Sequence, residues 1–302
     1  MKKIIITILC IASAFMLASC DQQLEISVTP EQNLVQKTFT VDTDLTKAEL
    51  DGLNVVWSPG DKIKIAALAT QGSPDKGKTE GDMTELYYFT TTYGGAQAVF
   101  TGSLPDGWET GTALFCHEVV NLRYASSALS ARMNIPYEQT GVKNGISPDV
   151  LFLYAYTDGS TSSDIDFVGE KIHFKIGCCL IKVSVVGSDI KQISLSAEEY
   201  LASERFNFNL KSGNCSTLGA TYGDDFKTLV MTPAGGLATF EPGDYYFSVV
   251  TKNGATRDIT GLKVSYTKSD DTVWSITSDN TLSSTAGKIY RTGIDETKCT
   301  LE

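Results

Sequence analysis

The chain has two histidines, and one of them directly follows a cysteine, as Cys116-His117. A thiol beside an imidazole has the groups of a nucleophile and its base. These two residues lie in an apolar stretch typical of a β-strand, where neighbouring side chains point to opposite faces. His117 is therefore badly placed to deprotonate Cys116. The other histidine, His173, lies in a strand-like pattern beside Phe174.

Other sequence patterns of catalytic and metal sites are missing. The chain has no His-Glu-x-x-His run, no Cys-x-x-Cys pair, no Gly-x-Ser-x-Gly elbow and no glycine-rich phosphate loop before a helix. Carboxylates are abundant, but their spacing selects no glycosidase pair. The acidic stretch 158–166 lacks the ligand spacing of an EF-hand. We therefore predict no catalytic residue, no metal site and no cofactor, and a protein that is not an enzyme.

Cys20 is the residue whose neighbours predict a chemical modification. Lys2 and Lys3 precede an almost wholly apolar run at residues 4–17, which is shorter than the roughly 20 residues that a membrane-spanning helix needs. The run ends in a bacterial lipobox, Leu17-Ala18-Ser19-Cys20. We predict cleavage before Cys20 and acylation of its thiol. Each buried methylene contributes about 0.8 kcal/mol, so two or three acyl chains anchor the protein. The alternative is a plain secretory leader.

Charge and length limit the partners of the mature chain. Removing residues 1–19 from 302 leaves 283 residues, and losing the leader's two lysines changes the net charge from −11 to −13. That acidity argues against nucleic acid as a partner, because phosphate binding needs a basic surface. No later stretch is long and apolar enough to cross a bilayer. We expect a body tethered at one end to the outer membrane, at the cell surface.

Five cysteines remain beyond the anchor, and their odd number and irregular spacing do not make a disulfide framework. We predict that they are small buried hydrophobic residues, with one Cys–Cys pair as the alternative. Adjacent cysteines on a strand point to opposite faces and cannot bind one metal together. The five are Cys116, Cys178, Cys179, Cys215 and Cys299.

Alternation of apolar and polar residues predicts strands along most of the chain. Clear examples are residues 24–28, 63–67, 181–185, 206–210, 245–249 and 262–266, with turn signals such as Pro59-Gly60 and Pro242-Gly243 between strands. Helical signals are few, at residues 46–53 and 194–201. The pattern predicts an all-β protein built of β-sandwiches.

The polar stretch 157–164 predicts a linker between two sandwiches. The predicted organisation is a lipoprotein signal peptide at 1–19, a lipidated tether at 20–23, an N-terminal sandwich domain at 24–160 and a C-terminal one at 161–302. The alternative is a long hairpin loop within a single domain.

The order of several short motifs resembles the fimbrillin-like (Mfa-like) lipoproteins of Bacteroides-type bacteria, a group related to type V pilins. Val56-Trp57-Ser58-Pro59-Gly60-Asp61-Lys62-Ile63 looks like the family's Trp-x-x-Gly-Asp-x-Ile signature. Later motifs are Ile135-Pro136-Tyr137-Glu138-Gln139, Pro242-Gly243-Asp244-Tyr245-Tyr246 and Ala286-Gly287-Lys288-Ile289-Tyr290. By this resemblance Trp57, Gly60, Asp61, Pro136 and Gln139 are scaffold residues: Trp57 fills a core, Gly60-Asp61 makes a tight turn, and Pro136 fixes an edge or corner.

The resemblance implies two tandem transthyretin-like β-sandwiches and a surface fimbrial subunit, or a related anchoring or tip protein. In that family a protease removes an N-terminal strand with its lipid, and the groove accepts a strand from another subunit. The candidate partner-binding elements here are the strand at 24–28 and the C-terminal segment, although residues 292–302 are short and polar for a donor strand.

The family's processing often uses an arginine-specific protease, but this chain has no arginine before Arg123. Lys37 and Lys47 would serve only a protease that accepts lysine. An anchor or accessory subunit, or an adhesin that keeps its lipid, therefore fits at least as well as a shaft pilin.

The alternative function is a glycan-binding surface lipoprotein of a polysaccharide-uptake system. Trp108 follows a Pro105-Asp106-Gly107 turn and is the candidate ligand contact, since exposed aromatic rings stack on sugars. Trp57 and Trp274 lie in strand-like alternation, which predicts core positions.

Replacing Cys20 tests the predicted anchor. We expect Cys20→Ser to leave the membrane fraction, because the residue that carries the acyl chains is lost. Mass spectrometry of the mature N-terminal peptide should show acylation in the wild type and none in the variant. Cys10→Ser, within the leader, is the matched control and should stay at the membrane. An unmodified Cys20 thiol in the wild-type protein would contradict the prediction.

Overall fold

The computed structural model describes residues 33–43, 55, 57–67, 86–95, 97–107, 113–118, 122–124, 130–146, 150–157, 164–209, 214–217, 224–251 and 257–302. Residues 34–302 form one compact unit. The predicted leader, the lipobox with Cys20, the strand at 24–28, the helical signal at 46–53 and Trp108 all lie outside the described residues.

The described residues are almost entirely β-structure, which confirms the all-β prediction. The strands are β1 (Leu34–Thr43), β2 (Lys62–Ala67), β3 (Leu86–Thr91), β4 (Ala98–Pro105), β5 (Ala113–His117), β6 (Arg123–Tyr124), β7 (Ser130–Ile135), β8 (Glu138–Gly141), β9 (Leu153–Thr157), β10 (Ile165–Asp166), β11 (Lys171–Ile176), β12 (Cys179–Val185), β13 (Ile190–Ser196), β14 (Ser203–Asn209), β15 (Asn214–Thr217), β16 (Thr228–Pro233), β17 (Gly243–Val249), β18 (Arg257–Ile259), β19 (Lys263–Lys268), β20 (Val273–Thr277), β21 (Leu282–Ser284), β22 (Ile289–Arg291) and β23 (Thr300–Leu301).

Helical structure is limited to short 3-10 turns in this part of the chain, at Asp224–Lys227, Ala234–Gly236 and Glu296–Lys298. No helix among the described residues is long and apolar enough to span a bilayer. The helix predicted at 194–201 is wrong: β13 continues to Ser196 because Ile193 and Leu195 alternate into a core, as strand residues do.

The first sheet closes on itself. Its strand order is β1-β4-β3-β2-β5-β9-β11-β10, and β1 also pairs with β11. Inside lies the first core, a cluster rich in aromatic side chains. The fully buried aromatic members include Phe39, Trp57, Phe89, Phe100, Phe115, Phe152 and Phe174.

A three-stranded sheet, ordered β17-β12-β22, forms a common wall between two cores. On β12, Leu180 packs in the first core and Ile181 in the second. On β17, Tyr246 packs in the first core and Phe247 in the second. Neighbouring strand residues point to opposite faces, so one sheet contributes side chains to both cores.

The second core is covered by a six-stranded sheet ordered β23-β20-β19-β13-β16-β8. β8 reaches this sheet from the earlier half of the chain and pairs in parallel with β16. Two smaller sheets, β15-β14-β7-β6 and β18-β21, complete the pairing. The division into domains at 24–160 and 161–302 remains a prediction; the first sheet continues through β11 to Ile176.

The shared wall makes a prediction about stability. We expect Leu180→Ala to lower the free energy of unfolding by about 2–5 kcal/mol, the range found for other buried leucines. Because β12 serves both cores, we expect a single unfolding transition at lower denaturant, with amides of β4 and β13 losing hydrogen-exchange protection together. Val99→Ala, at an exposed position on β4, is the control and should change stability by less than about 0.5 kcal/mol. Two separated transitions in the Leu180→Ala protein would contradict the shared wall.

Candidate functional site

β1 is paired along both of its edges. Residues 34–41 pair antiparallel with β4, and residues 40–43 pair in parallel with β11. Its apolar side chains Phe39 and Val41 are buried in the first core. The Phe39 ring lies 5.6 Å from that of Phe89 and 6.3 Å from that of Phe115. The strand therefore closes the sheet and fills part of its interior.

Polar contacts hold β1 on each side. On the β11 side the Thr40 N–H donates to the Glu170 carbonyl at 2.8 Å, and His173 Nδ1 contacts the Asp42 carboxylate. On the β4 side the Thr38 and Thr101 hydroxyl oxygens lie 3.3 Å apart. Removing β1 would leave the edges of β4 and β11 unpaired and uncover aromatic side chains. Such a groove can accept another extended chain.

The lysines considered as processing sites differ in position. Lys37 lies within β1, opposite Gly102 on β4. A peptide bond in a paired strand is a poor protease substrate, because the protease must bind an extended, unpaired segment. Lys47 follows β1 in sequence and lies outside the described residues.

Trp57, Gly60 and Asp61 surround one tight turn before β2. The Asp61 N–H donates to the Ser58 carbonyl at 3.1 Å, and the Ser58 N–H donates to Asp61 Oδ2 at 2.7 Å. Gly60 has φ of +93°, a value that favours glycine. The Gly60 N–H donates to the Thr91 carbonyl at 2.8 Å, which joins the turn to β3.

Trp57 is 1% exposed and packs against aromatic rings of the first core. Its ring lies 5.0 Å from that of Phe100 and 5.4 Å from that of His117. Its backbone exchanges two hydrogen bonds with Gly95, of 2.9 and 3.0 Å. A Cβ at Gly94 would lie 2.3 Å from the Trp57 carbonyl oxygen, so this approach requires glycine. Cys116 and His117 are both buried, as core residues of β5.

Pro136 lies at the corner between β7 and β8, and Gln139 lies within β8, where its side chain takes the place of a strand beside β17. Gln139 is 3% exposed. Its Nε2 donates to the Ser248 carbonyl at 2.8 Å and to the Pro136 carbonyl at 3.0 Å, while its Oε1 accepts the Ser248 N–H at 2.9 Å. The amide therefore makes the two hydrogen bonds that a neighbouring strand would make to Ser248.

Asn144 continues this protection of the outer edge of β17. The Asp244 N–H donates to Asn144 Oδ1 at 2.9 Å, and the Asn144 N–H donates to the Asp244 carbonyl at 2.8 Å. The scaffold residues of the motifs thus lie in two separate places, the turn before β2 and this edge of β17. The partners of Gln139 were unpredictable because Ser248 is 109 residues away.

The described cysteine side chains are buried. Cys178, Cys179 and Cys299 are free thiols, and the adjacent pair points into different cores. Burial raises the pKa of Cys178 to about 11 and that of Cys299 to about 11, and it also raises the pKa of Cys179. Raised pKa values leave little thiolate for nucleophilic chemistry at neutral pH. Within the described ranges, no group of three or more His, Cys, Asp or Glu residues is arranged to hold a metal ion.

Trp274 differs from its predicted place in the core. It packs against the second core only in part, and it also lines an open cleft.

Comparisons with known proteins give low similarity. No family model and no curated protein matches the chain. Among solved structures, a fimbrial protein from Bacteroides vulgatus is 11% identical, with 88% of this chain and 98% of that one covered and a TM-score of 0.32. A fimbrial assembly protein from Parabacteroides distasonis is 12% identical, with 81% and 99% covered and a TM-score of 0.28. Both TM-scores are low, so neither likeness assigns a function to this chain.

Replacing Gln139 tests the role of its amide. We expect Gln139→Leu to lower the free energy of unfolding by about 2–4 kcal/mol, because the buried N–H and carbonyl of Ser248 lose their hydrogen-bond partners. Urea unfolding monitored by circular dichroism measures the loss. Gln192→Leu is the matched control, since Gln192 is half-buried and its Nε2 donates to the Ser194 hydroxyl. Equal losses in the two variants would rule out the edge-protecting role.

Proposed function

We propose that this protein is a lipid-anchored cell-surface protein of the fimbrillin-like family, a non-enzymatic anchor or accessory fimbrial subunit, or an adhesin, that joins partners by β-strand complementation. The lipobox ending at Cys20 and the ordered motifs from Trp57 to Tyr290 support the family and the outer-membrane location. The all-β architecture is of the kind that the resemblance implies.

The observation that carries the proposal is the position of β1. It is the first described strand after the predicted tether, it is paired on both edges, and it fills the first core with Phe39 and Val41. An incoming strand that replaced it would satisfy the backbone groups of β4 and β11 and supply apolar side chains at alternate positions. We propose the exchange role for β1; the strand predicted at 24–28, which the resemblance made a candidate, lies outside the described residues.

The lipid is proposed to stay in place. The sequence has no arginine near β1, and Lys37 lies within the paired strand. In a subunit that keeps its lipid, β1 stays covalently attached, and a partner's strand pairs with β4 and β11 only while β1 is out of its place between them. A shaft subunit would lose β1 together with its lipid.

The alternative function, glycan binding in a polysaccharide-uptake system, depended on Trp108. That residue lies outside the described ranges. Trp274, in the described part of the chain, is an aromatic residue that lines a cleft.

Strand exchange can be measured on the whole mature chain. A specific protease site inserted between residues 44 and 50, in a Cys20→Ser background, allows cleavage behind β1. A fluorescent peptide of residues 33–43 should then bind the cleaved protein much more readily than the uncleaved protein, because a covalently attached β1 competes with the free peptide at a high effective concentration. Fluorescence anisotropy reports the uptake.

The control peptide carries Phe39→Asp and Val41→Asp and should bind far more weakly, because burying an unpaired carboxylate is costly. Failure of the wild-type peptide to enter the cleaved protein, or equal uptake of both peptides, would contradict complementation at this site.

A further inference from the structure

An open cleft lies at one end of the second core. It is bordered by the segment that follows β12, by the hairpin of β19 and β20, and by the 3-10 helix Glu296–Lys298. Its volume is about 350 Å³, at the lower end of the range for small-ligand sites. The lining residues are Val186, Gly187, Asp189, Lys268, Trp274, Glu296 and Thr297.

Trp274 provides an apolar surface at this cleft. On β20 it lies opposite Tyr266 of β19, whose side chain is fully buried. The indole is half-buried and contacts the second core, which fixes it in place. Val186, 57% exposed, adds a second apolar side chain to the wall.

A charged pair lies beside the indole. Lys268 Nζ is 3.1 Å from Asp189 Oδ2 and 5.3 Å from the centre of the Trp274 ring. The two side chains keep 28% and 47% of their surface exposed. They therefore present a hydrogen-bond donor and an acceptor side by side, next to an aromatic ring.

Glu296 holds part of the cleft wall in position. Its carboxylate is nearly buried, accepts the Val186 N–H at 2.9 Å and also accepts the Gly187 N–H. These bonds tie the segment after β12 to the 3-10 helix that carries Thr297. The cleft is consequently preorganised, which lowers the entropy cost of binding.

The charges select the class of ligand. The carboxylates of Asp189 and Glu296 disfavour an anionic ligand. The Lys268 ammonium group already lies over the Trp274 ring, where a cationic ligand would otherwise bind. A neutral polyhydroxylated ring is neither repelled by the carboxylates nor in competition with Lys268. Its C–H face can pack on the uncovered part of the Trp274 indole, and its adjacent hydroxyls can form hydrogen bonds with Asp189 and Lys268. We propose that this cleft binds a neutral saccharide, with Trp274 as the apolar platform. The site does not depend on exchange of β1, and either proposal can fail without the other.

The test uses the unlipidated mature chain with Cys20→Ser. Maltopentaose, cellopentaose, xylopentaose and mannopentaose are titrated at up to millimolar concentrations by isothermal calorimetry. At least one should bind, and Trp274→Ala should weaken that binding by about tenfold or more. Trp274→Phe should restore part of the affinity. Because Trp274 also contacts the core, thermal unfolding is measured for each variant.

A second variant keeps the test informative if Trp274→Ala unfolds. Asp189→Asn removes a charge at the rim and should also weaken binding. Tyr93→Ala is the matched aromatic control, because Tyr93 is 77% exposed and does not line the cleft. Choline is titrated as a cationic probe.

Four outcomes would overturn the proposal. They are no binding of any of the four saccharides, binding unchanged by Trp274→Ala or Asp189→Asn in folded protein, loss of binding in Tyr93→Ala alone, and binding of choline in place of saccharide.

Discussion

Strand edges at a buried core must be paired, because unbonded backbone groups removed from water cost as much as lost hydrogen bonds. The first sheet meets this requirement through β1, which lies between β4 and β11 and completes the ring of strands. The outer edge of β17 meets it differently, with the side chain of Gln139 and both backbone and side chain of Asn144. One edge is thus closed by a whole strand, for which we propose exchange, and the other by individual residues of the segment that contains β8.

This difference is what gives β1 its proposed role. The segment 136–146 follows β7 and contains β8, so it cannot leave without breaking the pairing of β8 with β16. β1 is the first strand of the described chain. The proposal requires that it withdraws as a unit, with the shared wall of β12 and β17 keeping the remaining sheets together.

Much of the architecture was predictable from short-range pattern. Alternation of apolar and polar residues predicted β2, β12, β17 and β19, because the period of two directly reflects side chains that point to opposite faces. The Ser58–Asp61 turn was predictable because proline followed by glycine has few alternatives. The helix prediction at 194–201 was wrong because the polar residues of this stretch masked the alternation of Ile193 and Leu195, which belong to β13.

The long-range features were not predictable, for a physical reason. The parallel pairing of β8 with β16 and of β1 with β11 joins residues that share no local signal. The strand predicted at 24–28 was a candidate for exchange because it comes first after the tether, and it lies outside the described residues. The pairing of β1 with both β4 and β11 could not be read from alternation alone. Trp274 lies in an alternating pattern typical of a core position. Its place at a cleft depends on segments that are distant in sequence, such as 186–189 and 296–297.

The most direct test of the central claim is a cross-link between β1 and β4. Thr38 and Thr101 lie opposite each other, and directly opposed residues of antiparallel strands are close enough for a disulfide. The double variant Thr38→Cys with Thr101→Cys should oxidise to a monomer with an internal disulfide. After cleavage behind β1, the oxidised protein should not bind a peptide of residues 33–43, and reduction of the disulfide should restore binding. Peptide uptake by the oxidised protein equal to that of the reduced protein would show that β1 does not occupy the exchange site.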